Sequence, residues 1–142
     1  MNIRLRSAVV VVSAVALLGL AGCSGSETEG TATTTESVVT TIGAGELAQV
    51  VADPEIVVLD VRTPVEYADG HVEGDVNVDV SSPTFTDEIA SLDKDATYVV
   101  YCRSGNRSAD AAGQMAEAGF TAVYDVDAGL ATLSSAGVPL TQ

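Results

Sequence analysis

The chain has 142 residues, of which six are Lys or Arg and twenty are Asp or Glu, for a formal net charge of −14. That excess of negative charge excludes nucleic-acid binding through a basic face, since phosphates must be met by Lys and Arg. It also excludes docking on an anionic bilayer by charge alone, and the length suits one domain rather than two.

Along the chain, Met1 to Arg6 carries Arg4 and Arg6, and Ser7 to Leu20 is almost wholly Ala, Val, Leu and Gly. A charged start before an apolar run is the layout of a secretory signal. The apolar stretch from Ala8 to Gly22 is shorter than the roughly 20 residues a spanning helix needs. It ends Leu20-Ala21-Gly22-Cys23, which resembles the bacterial lipobox. That resemblance implies cleavage before Cys23, lipidation of Cys23, and an extracytoplasmic protein held to the cell membrane by its lipid. Acyl chains contribute about 0.8 kcal/mol per buried methylene, so two or more anchor stably. After cleavage the basic residues are Arg62, Lys94, Arg103 and Arg107, while all twenty acidic residues remain, and the net charge moves to near −16. With Cys23 lipidated, Cys102 is the remaining thiol. It has no internal disulfide partner although the compartment is oxidising.

Ser24 to Thr41 is rich in Ser, Thr, Glu and Gly and reads as a flexible tether. The expected organisation is therefore a signal with lipobox over 1–22, a tether over 23–41 and a folded domain over 42–142. From Val38 the pattern changes. Val38–Ile42 is a short β-prone run, and Gly45–Ala52 suits a short helix. Ile56–Val61 is a continuous apolar run between Pro54 and Pro64, the pattern of a strand covered on both faces. Pro64–Ala68 can start a helix, since Pro is favoured in the first turn. Val76–Val80 alternates as a strand, Phe85–Leu92 has helical spacing, and Thr97–Cys102 is a second buried strand. Ser108–Ala118 is an Ala-rich helix closed by Gly119. Ala122–Val126 is a further strand and Leu130–Ser135 a last short helix. Strands alternating with helices predict an α/β domain, a small parallel sheet with helices on both faces.

Open parallel sheets bind ligands at the carboxyl ends of their strands. Cys102 ends one of the buried strands, and a helix begins a few residues later. Gly105 and Asn106 tolerate backbone angles that let successive N–H groups converge on an anion. The helix dipole adds about half a positive charge, and Arg103 and Arg107 add full ones. All of these favour thiolate over thiol, and the thiolate is the nucleophile. A strand-end Cys is more often a small core residue, but two arginines at a helix start, where they oppose the dipole, have no packing explanation.

Cys102-Arg103-Ser104-Gly105-Asn106-Arg107-Ser108 resembles the active-site loop of the rhodanese family of sulfurtransferases. Leu59-Asp60-Val61-Arg62, Glu66-Tyr67, Gly70-His71-Val72 and Gly74 resemble that family's first signature, and Ala128-Gly129-Leu130 with Ala136-Gly137-Val138-Pro139 its closing segment. The resemblance implies a rhodanese-like fold and a Cys102 persulfide that carries sulfur from thiosulfate or a similar anionic donor to a thiol or cyanide. It implies that the backbone of Arg103, Ser104, Gly105, Asn106 and Arg107 forms the cradle and that Arg103 and Arg107 hold the donor or the persulfide. Asp60 and Arg62 become ion-paired supports beside Ser108, Glu66 a helix-surface or structural residue, and His71 a structural one. Glu73 and Asp75 stand where Pro and a small apolar residue are common, and Leu133 where an aromatic is usual. These departures are expected to alter the surface near the site rather than the loop.

Two other functions fit the same residues. A phosphatase or arsenate reductase also uses a Cys-to-Arg anion loop, but four residues separate Cys102 from Arg107 where the related phosphatases have five. A persulfide carrier or partner-binding module would keep the thiol without turnover. No cofactor is implied and no metal site is expected, because His71 stands alone and a single thiol is not a metal cage. Sulfur transfer requires the Cys102 sulfur to be ionised and reachable.

Overall fold

The computed structural model describes residues 38–142; the expected signal, Cys23 and the tether as far as residue 37 lie outside the described residues. The elements in chain order are β1 (Val39–Ile42), α1 (Ala44–Val50), β2 (Ile56–Asp60), α2 (Pro64–Ala68), β3 (His71–Val72) and β4 (Val76–Asn77). There follow α3 (Phe85–Ala90), β5 (Thr97–Tyr101), α4 (Asn106–Glu117), β6 (Ala122–Val126), α5 (Leu130–Ser135) and β7 (Leu140–Thr141). The folded body thus begins at Val39, inside the segment expected as tether, because Val39 to Thr41 pair with Val123 to Asp125 of β6.

Five strands form a parallel sheet in the order β1-β6-β5-β2-β4. The apolar runs of β2 and β5 take its centre because both their faces are covered. On one face Leu59, Tyr98, Val100, Cys102 and Val123 pack with Phe85 and Ile89 of α3 and with Ala111, Ala112 and Met115 of α4. On the other, Val58, Val99, Tyr101 and Val126 pack with Leu47 of α1 and Leu133 of α5. Successive side chains of a strand point to opposite faces, so Tyr101 and Cys102 serve different cores. The expected α/β architecture with helices on both faces is the one observed.

Three differences from the expected elements follow from contacts outside the local pattern. β3 and β7 form an antiparallel pair, with His71 opposite Thr141 and Val72 opposite Leu140; runs this short carry no periodicity to read. The strand expected over Val76–Val80 is recognised only at Val76–Asn77. The chain stays beside β2 through Val78 N donating to the Asp60 carbonyl (2.9 Å), and it then turns as Asp79 Oδ1 accepts from Ser81 N (2.9 Å). Helix α4 starts at Asn106, ahead of the expected Ser108, because Gly105 stands before it in the left-handed region (φ 88°).

The register sets the site. Asp60 at the end of β2 is opposite Tyr101 at the end of β5, and opposite Asn77 of β4. The carboxyl ends of the central strands therefore carry Asp60, Tyr101 and Cys102 side by side, with Arg62 two residues further on.

Candidate functional site

Cys102 follows the last residue of β5, and the chain loops over its sulfur before entering α4. The Gly105 N–H donates to Sγ at 3.1 Å, the Ser104 N–H approaches at 3.5 Å, and Ser108 Oγ lies at 3.7 Å. Positive φ at Gly105 turns these amides inward, a conformation costly for any residue with a Cβ. Burial pushes the thiol up, but the amides of Ser104 and Ser108, the Ser108 hydroxyl and the Gly105 amide outweigh it and hold Cys102 below the ordinary thiol value. The start of a twelve-residue helix adds its dipole in the same sense.

The side chain of Cys102 is 0% exposed. A sulfur open to solvent was expected, so this part of the expectation is corrected: the cradle that stabilises the thiolate also encloses it. Arg103, Ser104 and Asn106 are the exposed residues of the loop.

The loop is held from outside by the segment after β6. Gly129 passes so close that a Cβ there would collide with the Arg103 carbonyl oxygen and stand 3.2 Å from its carbon. A Cβ on Gly105 would lie 2.8 Å from Asp127 Oδ1. Gly129 has an ordinary extended backbone, so its need for glycine comes from the close approach alone. Gly129→Ala is expected to displace the loop and cut reactivity of Cys102 toward iodoacetamide by on the order of tenfold or more. Stability would fall by about 1–3 kcal/mol, measured by alkylation rate and chemical denaturation.

The basic residues have divided fates. Arg62 is buried and binds Asp60 through Nε at 2.8 and 2.9 Å, and its Nη2 donates to the Gly70 carbonyl at 2.7 Å. Asp60 and Arg62 are thus ion-paired as expected. Arg107 binds both oxygens of Glu66, each at 2.8 Å. Glu66 accepts from Thr63 as well, and the Arg107 hydrogen bond, against some burial, draws its carboxyl down to about 2. Lys94 donates to the Ala118 carbonyl. Only Arg103, among the cations of the described residues, makes no ion pair or side-chain hydrogen bond. The paired roles expected of Arg103 and Arg107 therefore separate. Arg107 braces the loop against α2 while its charge remains near the thiolate, and Arg103 keeps a free guanidinium.

Asp75 is not the surface departure it was expected to be. The Tyr101 hydroxyl lies 2.5 Å from Asp75 Oδ2 and 2.8 Å from Asp60 Oδ2, and accepts from Val72 N at 3.0 Å. One phenol proton cannot satisfy two carboxylates. Burial and the neighbouring Asp60 charge raise the Asp75 carboxyl although the Tyr101 hydrogen bond opposes them, and burial raises the Tyr101 phenol well above its ordinary value. Leu133 is likewise a core residue, 0% exposed, rather than part of the surface near the site. His71 stacks on Tyr67 and its Nδ1 lies 3.0 Å from the Tyr67 carbonyl, a structural position.

Asp125 lies under the loop on the face of α4, 6% exposed, with Oδ1 buried and without a hydrogen-bond partner. Burial raises its carboxyl, with the Ser108 hydroxyl partly offsetting this. A raised carboxyl favours the folded state at low pH, and that contribution is lost as pH climbs from the unfolded value through the folded one. Asp125→Asn is expected to flatten this slope and to be more stable than the parent near neutrality, read from urea midpoints between pH 4 and 8.

Beside the loop lies a cavity of about 380 Å³ lined by Arg62, Glu66, Asp69, Arg103, Leu130 and Ala131. Arg103 thus joins the wall of the cavity to the enclosure of the sulfur.

A family model described as the rhodanese-like domain matches residues 43–136. The chain belongs to the rhodanese-like domain family. Thiosulfate sulfurtransferase GlpE of Pseudomonas fluorescens is 39% identical over 84 residues, 59% of this chain and 75% of that protein. The protein of the same name from Pseudomonas aeruginosa is 42% identical over 72 residues, 51% of this chain and 64% of that one. Among solved structures, a rhodanese-related protein of Thermoplasma volcanium matches with TM-score 0.62 at 30% identity, covering 71% of this chain and 96% of its own. The rhodanese-like domain of an Anabaena protein matches with TM-score 0.65 at 27% identity, covering 71% and 77%.

Within this rhodanese-like domain the expected loop residues Cys102 to Ser108 and the supports Asp60 and Arg62 meet at one end of the sheet. Sequence reasoning missed Asp69, Tyr101, Asp75, Asp125 and the closeness of Gly129. The Thr63-Pro64-Val65-Glu66 capping box was a readable signal for Glu66, but not for its second partner, forty-one positions away.

Proposed function

We propose that this rhodanese-like domain is a sulfurtransferase that moves sulfane sulfur from thiosulfate, or a similar anionic donor, to a thiol through a persulfide on Cys102. The observation that carries this reading is the sulfur of Cys102 held by converging backbone amides at the start of α4. In the first half-reaction the thiolate attacks the outer sulfur of thiosulfate. The new bond joins Sγ to that sulfur, the old sulfur–sulfur bond breaks, and sulfite leaves with its electron pair. Amides that stabilise the thiolate suit the terminal anion of the persulfide equally. Arg103, with its guanidinium free, holds the donor; Arg107 acts on the loop through Glu66. Since the sulfur is enclosed, the donor gains access by displacing the exposed Arg103 and Ser104.

The relatives named thiosulfate sulfurtransferase support the reaction class. The test is intact-mass measurement after thiosulfate treatment. One extra sulfur on Cys102, released as thiocyanate by cyanide, is expected, and no mass gain would sink the reading. A persulfide that forms but turns over negligibly would mark a carrier instead.

We also propose that the protein works outside the cell membrane on a lipid attached to Cys23, a reading supported by Leu20-Ala21-Gly22-Cys23 after the basic and apolar segments. Cys23→Ser is expected to abolish fatty-acid labelling and to release the domain from the membrane fraction; persistent labelling would refute it.

A further inference from the structure

The cavity beside the loop has an unusual charge balance. Four of its six lining residues are ionisable: Arg62, Glu66, Asp69 and Arg103. Two of those charges are already spent. Arg62 is bound by Asp60, and both oxygens of Glu66 are bound by Arg107. The side chains of Arg103 and Asp69 have no ion pair or hydrogen bond among the described residues, and both are exposed. The cavity therefore offers one free cation and one free anion. Its remaining wall is apolar, from Leu130 and Ala131 of α5.

An anionic donor such as thiosulfate uses Arg103 alone, and the free carboxylate of Asp69 calls for a positively charged group that such a donor lacks. A zwitterion meets attraction from both. At about 380 Å³ the cavity is at the small end of the range that holds small molecules. Arg103 follows Cys102 directly in the chain, so the cavity wall is continuous with the loop that encloses the sulfur.

We infer that this cavity receives the sulfur acceptor, and that the acceptor is a small zwitterionic thiol, its carboxylate on Arg103, its ammonium on Asp69 and its methylenes against Leu130 and Ala131. The inference rests on the sulfurtransferase reading and adds the acceptor's chemical class. In the second half-reaction the acceptor thiolate attacks the outer sulfur of the Cys102 persulfide. The bond between the two persulfide sulfurs breaks, its electron pair returns to Sγ, and the acceptor leaves as its own persulfide. Cys102 is restored as the thiolate within its amides. Sulfite has left before the acceptor arrives, so Arg103 serves donor and acceptor in turn. Asp69 serves only the acceptor.

The test compares four acceptors at saturating thiosulfate: cysteine, cysteamine, 3-mercaptopropionate and 2-mercaptoethanol. Each is assayed with the parent chain and with Asp69→Asn, and kcat/KM of the variant is divided by that of the parent for each thiol. This ratio removes differences in intrinsic thiol reactivity. For cysteine and cysteamine it is expected to fall about fivefold below the ratio for 2-mercaptoethanol, the upper end for a partly exposed ion pair. For 3-mercaptopropionate it is expected to equal or exceed the 2-mercaptoethanol ratio. Asp69 is an exposed position, so the variant folds, and circular dichroism checks it. Equal ratios for all four thiols would overturn the zwitterion assignment while leaving sulfur transfer intact. Failure of Cys102 to gain sulfur from thiosulfate would overturn both together.

Discussion

Cys102→Ser is expected to lower turnover with thiosulfate and cyanide by at least about a thousandfold, the scale on which loss of a covalent nucleophile acts. The reason is chemical rather than steric. Amides around Sγ hold a thiol below its ordinary value, but the same donors cannot bring a serine hydroxyl to an alkoxide near neutrality. Serine also cannot store sulfur as a persulfide. Fold and stability are expected to change little, because a hydroxyl fits the space of the thiol and the amides of Ser104 and Gly105 can donate to it. The measurement is a rate, a mass and a denaturation curve on one preparation. Retained turnover in the serine variant, with the domain folded, would rule out Cys102 as the sulfur carrier.

The largest expected effect on stability comes from the buried ion pair at the same end of the sheet. Arg62→Met is expected to cost about 3–5 kcal/mol, the typical penalty for leaving one partner of a buried ion pair uncompensated. For a body of this size that lowers the melting temperature by on the order of 20 °C. Asp60 is fully buried, and without Arg62 it would share the Tyr101 hydroxyl with Asp75 and face it without a cation. The Gly70 carbonyl would lose its donor as well. The pH dependence identifies the cause. A carboxylate stripped of its cation in a buried site has a raised folded pKa. The deficit should therefore grow as pH rises through that value and shrink toward acid, where the carboxyl takes up a proton. A deficit independent of pH would point to lost packing alone. Replacing Asp60 and Arg62 together by leucine should cost less than Arg62→Met, since no unpaired charge remains.

Much of the fold was legible because its signals are local. The apolar runs of β2 and β5 announced strands covered on both faces, and the alternation with helical segments announced a parallel sheet. The loop after β5 was legible too, since Cys102, Gly105, Asn106 and the start of α4 are neighbours in sequence. What could not be read was the partner of each charge. Arg107 and Glu66 are forty-one residues apart, as are Tyr101 and Asp60. No spacing rule in a single sequence links them. Asp75 looked like a surface exchange, but it is half-buried and bonded to Tyr101 because the segment joining β3 to β4 folds back beside the end of β5.

By itself, then, the sequence determined the order and type of the main elements and the position of the thiol at a strand end before a helix. Backbone propensity and hydrophobic period act over a few residues, and these features need nothing more. Tertiary structure alone decided that Arg103 keeps its charge free while Arg107 gives its own to Glu66, that Cys102 is enclosed, and that Asp69 faces the same cavity as Arg103. Those outcomes depend on strand register and loop path, which bring distant side chains within hydrogen-bond range. Only there does Coulomb attraction, steep at short distance and screened beyond about 10 Å, select which charges are spent and which remain for chemistry.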